Sequence, residues 1–181
     1  MILAFSVMEQ RTSACTWELL DIQNIDAGHA VTSALRDFGA RINMFGAVGE
    51  ASNLQLRKDH QKLVSALRWI NGERNDLLHA EHQALFPAYV FPERVSESSD
   101  LIDYTTLLRI RTKVDNAVLR RKLILFPAPY LISLAEYALT IKDALAAFTV
   151  NFHGMHTSYR LEPPQLDARP QRHLPDRSDP K

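Results

Sequence analysis

The chain has a single cysteine, Cys15, so no intramolecular disulfide can form, and nothing suggests a cysteine-based metal site. That usage fits a reducing compartment, and a cytoplasmic location is expected. Neither sign of charge is in excess: Lys plus Arg and Asp plus Glu each number 21, and the formal net charge is zero. A whole-molecule cationic field is therefore absent, so any contact with nucleic acid must come from a local basic patch. Glycine is scarce, with 6 in 181 residues. Gly39, Gly46 and Gly49 make no phosphate loop, because no Gly-Lys-Ser/Thr accompanies them and no strand precedes them. No apolar run reaches membrane-spanning length, and no membrane partner is expected. The most apolar stretch, Leu123 to Ala135, is broken by Pro127 and Pro129 and ends at Glu136. Met1 to Val7 is apolar but lacks a basic leading region and is too short for a signal peptide; Met8 is an alternative start. Ser65, Ser133 and Cys15 stand in no recognisable nucleophile context.

What is present is a hydrophobic content of 46%, enough to build a core in one domain of this length. The apolar residues recur mostly at helical spacing. Residues 13–25 suit a short helix with Trp17 and Leu20 on one face. Asp26 reads as an N-cap. After it, Val31, Ala34, Leu35, Phe38, Ile42 and Phe45 predict one amphipathic helix over 27–46, ending near Gly46 or Gly49. A third helix over 54–80 follows Ser52-Asn53, with Leu56, Leu63, Val64, Leu67, Ile70, Leu77 and Leu78 on or near one stripe. Residues 84–95 break the period, and Pro87 and Pro92 bracket an extended segment or edge strand. Ser96 to Asp100 reads as a turn. Leu101 to Arg111 is ambiguous, and Val114 to Leu125 suits a helix. After Pro129, Leu131, Leu134, Ala138, Ile141, Leu145 and Phe148 form a narrow seam that predicts a closing helix over 130–149. The expectation is all-α: an up-and-down bundle of about four main helices, with a short irregular or hairpin insertion after the third. The bundle should span 1–160, and the proline-bearing tail 161–181 should be disordered.

The third helix carries the chemistry. At about 100° per residue, with Leu63 at zero, Leu67 falls near 40°, Ile70 near 340° and Arg74 near 20°. Arg74 thus sits in the middle of the apolar stripe, where an unpartnered guanidinium is costly. His79 falls roughly 140° away around the helix, with Asn75 one turn before it. Asn71-Gly72 offers a helix stop. Because the apolar phase runs through Gly72, one continuous helix is expected.

Arg74-Asn75-Asp76-Leu77-Leu78-His79, near the end of a long helix in a helical domain, resembles the HEPN superfamily (higher eukaryotes and prokaryotes nucleotide-binding). Its hallmark is an Arg, four to six residues, then a His, with a polar residue after the Arg. The likeness to small bacterial members covers roughly residues 17–150. Where several family toxins have a Tyr two residues after the His, this chain has Glu81, and Ala80 lets the helix continue. The resemblance implies metal-independent RNA cleavage, without a cofactor, in a homodimer whose two motif helices form one composite site. His79 would move the proton, Arg74 would stabilise charge on the phosphoryl oxygens, and Asn75 would orient a phosphate or the imidazole. It also implies a toxin or defence role, with an antitoxin as partner. The alternative is a non-catalytic dimerisation or partner-binding module of the same fold.

Other clusters are less specific. His79 with His82, and His153 with His156, have ligand-like spacing, but nothing completes a metal site, so surface histidines are the simpler reading. Arg109, Arg111, Lys113, Arg120, Arg121 and Lys122 lie in one segment against Asp115 alone, and this run is either an RNA groove or a solvated face.

Overall fold

The computed structural model describes residues 1–52, 56–79, 81–82, 107–115, 118–154 and 160–171, of which 81–82, 107–115 and 118–125 are described by their backbone. Among them are five helices, α1 (Ile2–Leu19), α2 (Ile25–Ser33), α3 (Phe38–Ala51), α4 (Arg57–Leu78) and α5 (Ala128–His153), and three strands, β1 (Glu81–His82), β2 (Leu107–Asp115) and β3 (Val118–Phe126). They fall into two compact units. One comprises residues 1–72 and 134–169, the other residues 73–133 and 170–181.

The first unit is a helical bundle in which α1, α3, α4 and α5 are the main helices. Each contributes a stripe at helical spacing, and burying those stripes against one another supplies most of the driving force. Met8, Ile42, Phe45, Leu67, Ile70, Leu134, Ile141 and Leu145 are essentially inaccessible. Five of the six predicted seam residues of α5 are buried; Leu131 lies partly exposed. Thr12 and Thr16 enter the core because each hydroxyl donates to the carbonyl four residues back, at 2.9 Å. Cys15 Sγ meets Thr149 Oγ1 at 3.0 Å and the Leu145 carbonyl at 3.4 Å, which joins α1 to α5. Burial pushes its thiol pKa up, so Cys15 behaves as a small core residue and not as a nucleophile. At the bundle end, His153 Nε2 is hydrogen-bonded to Glu18 Oε2, linking α5 to α1.

Several boundaries differ from expectation. The first helix occupies 2–19, with Ala4 and Phe5 buried, not 13–25. The expected helix over 27–46 is two helices. Asn24, not Asp26, caps the first, its Oδ1 accepting from the Asp26 and Ala27 amides at 2.9 and 3.1 Å. Asp37 starts the second by accepting from the Ala40 amide at 2.7 Å. A short acceptor side chain that captures a free amide competes with continuation of the preceding helix. Periodicity does not register this. Gly28 is required by close approach: a Cβ there would lie 2.6 Å from Trp17, whose indole stacks edge-on to His29 at 4.9 Å.

The described part of the tail, 160–171, has no regular secondary structure yet is packed through Arg169. Leu166 is buried, and Tyr137 donates its hydroxyl to the Leu166 carbonyl at 2.7 Å. The expected disorder therefore does not hold for this stretch; residues 172–181 lie outside the described residues.

The second unit carries the insertion expected after the motif helix. It is an antiparallel sheet in the order β1-β2-β3. Each strand of its hairpin has nine residues, longer than the short insertion expected. Positions 114–125, read as a helix, lie largely in this hairpin. The segments 84–95 and 96–100 lie outside the described residues.

Candidate functional site

The helix α4 runs through Gly72, as its apolar phase requires, and a Cβ at Gly72 would meet nothing within 4 Å. Arg74 is half-buried, in line with Ile70 and Leu77, as the wheel places it. In the second unit, Tyr130 donates its hydroxyl to Glu73 Oε2 at 2.7 Å, and the buried rings of Phe126 and Tyr130 lie 6.2 Å apart. The residue preceding Arg74 is thereby tied to the first turn of α5.

His79 does not lie on the helix. The helix ends at Leu78, and His79 occupies the turn after it, exposed. The helix expected over 54–80 thus ends at Leu78; Ala80 lies outside the described residues, and in β1 Glu81 pairs with Leu108 and His82 with Leu107. His79 is therefore held between a helix end and a paired strand. Asn75 is exposed. Leu78, expected near the stripe, is 66% exposed. Asp76 is only 5% exposed, and nothing in the periodicity flags it.

The hairpin arranges the basic segment. Arg111 pairs with Lys122 and Lys113 with Arg120, while Arg109 pairs with Ile124. Paired positions share a face of an antiparallel ribbon, and alternate positions along a strand return to it. Positions 109, 111, 113, 120 and 122 therefore fall on one face. Arg121, paired with Thr112, falls on the other, with Leu108, Ile110, Val114, Leu119, Leu123 and Leu125. Five of the six predicted basic residues are thus brought together by register and Arg121 is set apart. These residues and Arg74 to His79 belong to the same unit.

In the bundle, His60 is a second residue that periodicity passes over. It lies three residues before Leu63 on the same stripe and is 1% exposed. Its Nε2–H donates to the Phe45 carbonyl at 3.0 Å, and its ring lies 4.7 Å from Phe45 and 6.0 Å from Phe148. Burial lowers its pKa below the usual 6.5, outweighing the raising effects of the Phe45 carbonyl and Glu50. The folded state therefore resists protonation that the unfolded chain accepts. The His60 contribution is complete above about pH 6.5 and declines as pH falls below it, with a limiting slope of about 1.4 kcal/mol per pH unit. Urea unfolding at about pH 7.5 and about pH 5 should show a loss of stability in acid that is smaller in His60→Phe. An equal loss in both proteins would remove His60 as its source.

Among the described residues no group of three or more His, Cys, Asp or Glu side chains could hold a metal ion, and no helix is long and apolar enough to cross a membrane. His82 lies in β1, and His156 lies outside the described residues. Comparison with protein-family models, with curated proteins and with solved structures gives no match.

Proposed function

We propose that this protein is an HEPN-like, metal-independent endoribonuclease that binds RNA along the β2–β3 ribbon and cleaves it with Arg74 and His79. The observation that carries this reading is the ribbon register. Like charges placed directly opposite one another destabilise a sheet, and here Arg111 faces Lys122 and Lys113 faces Arg120. A polyanion laid on that face turns the repulsion into binding energy, and a two-stranded ribbon is a proven nucleic-acid-binding element. The neutral chain then needs no global field.

In this reading, the imidazole of His79 takes the proton of a ribose 2′-hydroxyl or delivers one to the departing 5′-oxygen. The 2′-oxygen forms a bond to phosphorus as the bond to the 5′-oxygen breaks. The products are a 2′,3′-cyclic phosphate and a 5′-hydroxyl. Arg74 holds the phosphoryl oxygens with its fork of donors, and Asn75 orients the phosphate or the ring. As in the family that the motif resembles, the composite site is completed in a homodimer, with the motif segments of two copies supplying Arg74 and His79 together. A bacterial toxin or defence role in the cytoplasm, with an antitoxin as partner, fits such an activity. A second reading, a non-catalytic dimerisation or partner-binding module, is favoured by one feature: Leu78 and Ile132, both in the motif's unit, are 66% and 60% exposed.

Single-stranded RNA should bind with a salt dependence reporting ribbon contacts, a log–log slope of about −3 if most of the five cations each meet a phosphate. Arg111→Ala and Lys122→Ala should each reduce that slope by roughly 0.7, whereas Arg121→Ala should leave it nearly unchanged. Fluorescence anisotropy across a salt series reads this directly. Equal effects from all three positions would remove the ribbon face from the proposal.

A further inference from the structure

The tail segment 161–169 runs back along α5 and is read mainly through its backbone. The Asn151 side chain makes both halves of a paired contact with Leu161: Nδ2 donates to the Leu161 carbonyl at 2.8 Å, and Oδ1 accepts from the Leu161 amide at 2.7 Å. Fourteen residues earlier on α5, Tyr137 donates to the Leu166 carbonyl at 2.7 Å. Asn151 and Tyr137 are each only 5% exposed, so both are built into the bundle. Burial raises the Tyr137 pKa, which keeps the phenol a donor. Between these contacts, Pro163 and Pro164 bring no amides that need partners. The side chain of Leu166 is the buried anchor. At the far end Arg169 donates to Ser65 Oγ at 2.9 Å, and its guanidinium lies 5.8 Å from the Trp69 ring centroid. Trp69 is itself braced edge-on by Tyr137 at 5.3 Å.

This arrangement has the features of a peptide complex: backbone hydrogen bonds at two points, one apolar anchor and one cation–π contact. The fit is not tight throughout. A partly open pocket of about 190 Å³ lies between the segment, at Pro163, Pro164 and Leu166, and Lys62, Leu63 and Phe148 of the helices. A segment that leaves such a pocket against the helices makes fewer contacts than a close-packed core element and is bound less firmly.

We propose that the α4–α5 face is a peptide-binding groove, occupied by residues 161–169 of its own chain and open to the same segment of a second copy. Every contact made within one chain is available between two, since the occupant's sequence is identical. Exchange of an identical element between protomers is a low-cost route to association, opposed mainly by the high effective concentration of the tethered segment. This proposal is independent of the endoribonuclease reading. It concerns another unit of the fold and involves neither Arg74, His79 nor the ribbon.

The test uses full-length protein and complementation. Leu161→Pro damages the segment by removing the amide that Asn151 accepts from, and leaves the groove intact. Asn151→Ala damages the groove and leaves the segment intact. In an equimolar mixture, the intact segment of the second variant can seat in the intact groove of the first. Sedimentation at high protein concentration should show heterodimer in the mixture at severalfold the dimer fraction of either variant alone. A labelled synthetic peptide of residues 160–171 should bind Leu161→Pro at least tenfold more tightly than wild type and should disperse the heterodimer. A peptide with Leu166→Asp should do neither. Leu166→Asp in the full chain is a second segment variant and should also gain peptide binding. Peptide binding without heterodimer would overturn exchange between copies. Failure of both segment variants to bind peptide, with native circular dichroism retained, would make the segment a fixed part of the fold. A dimer that persists in each variant alone, such as the homodimer proposed for the motif's unit, is built elsewhere; exchange then adds a larger species in the mixture only, and its absence would overturn exchange.

Discussion

RNA cleavage by His79→Ala is expected to fall roughly 10²–10⁴-fold below wild type, the usual range for removing a general acid–base group. Arg74→Ala should lose on the order of 10²-fold or more, because it removes donors aimed at charge that develops in the transition state. The assay is single-stranded RNA with purified protein and EDTA, with the product ends identified as 2′,3′-cyclic phosphate and 5′-hydroxyl. The two variants should differ in their side effects. His79 is exposed and lies beyond the end of α4, so its truncation should leave the melting temperature unchanged. Arg74 is half-buried in line with Ile70 and Leu77, so its loss should also alter stability or association. His82→Ala is the control outside the motif, and it should retain activity. Equal cleavage by wild type and His79→Ala, or none by either, would end the nuclease reading and leave the partner-binding module. Loss of cleavage in Arg111→Ala with His79 intact would place the fault in RNA capture, which the salt series separates from chemistry.

Gly49→Ala should be strongly destabilising, although alanine is the better helix former. A Cβ at Gly49 would lie 2.1 Å from His60 Nε2, 2.3 Å from Cε1 and 2.5 Å from Cδ2. The ring has little room to yield, because it is fully buried beside Phe45 and Phe148 and hydrogen-bonded to the Phe45 carbonyl. Overpacking of this kind costs about 1–3 kcal/mol or more, against a helix-propensity gain of up to about 1 kcal/mol. The net loss should lower the melting temperature by several degrees, at about 2–4 °C per kcal/mol for a chain of this size. Gly72→Ala is the matched control. It is the same substitution in a helix, at an exposed site where the Cβ meets nothing within 4 Å, and it should stabilise by about 0.5–1 kcal/mol. In a double-mutant cycle, Gly49→Ala should cost much less once His60 is Ala, with a coupling on the order of 1 kcal/mol or more. An uncoupled cycle would mean that the cost at Gly49 arises elsewhere.

Leu63, Leu67, Ile70, Leu134, Ala138, Ile141 and Leu145 were legible as a core because a helix repeats its faces at a fixed angle, and burial follows that angle wherever helices meet. The passage of α4 through Gly72 and the half-buried position of Arg74 were legible for the same reason. Helix starts at Asn24 and Asp37 were not, since capping depends on which nearby oxygen captures an amide. Periodicity is also silent about whether Val114 to Leu125 coils or pairs. A strand acquires its hydrogen bonds from another segment, so the register that gathers Arg109, Arg111, Lys113, Arg120 and Lys122 and sets Arg121 apart exists only once β2 and β3 meet. His60 and Asp76 look like ordinary polar positions in a helix until the neighbours that bury them are known. The proline-bearing tail has the composition of a free chain, and what orders it through Arg169 is not its own propensity but Asn151 and Tyr137 on the preceding helix and Ser65 and Trp69 on a helix about a hundred residues earlier. Local periodicity therefore determined the helices and the composition of their buried faces. The caps at Asn24 and Asp37 were set by acceptors two or three residues from the amides they capture, a local choice that periodicity does not register. Tertiary contact decided the sheet register and the docking of the tail, because each depends on a partner that lies outside the local segment.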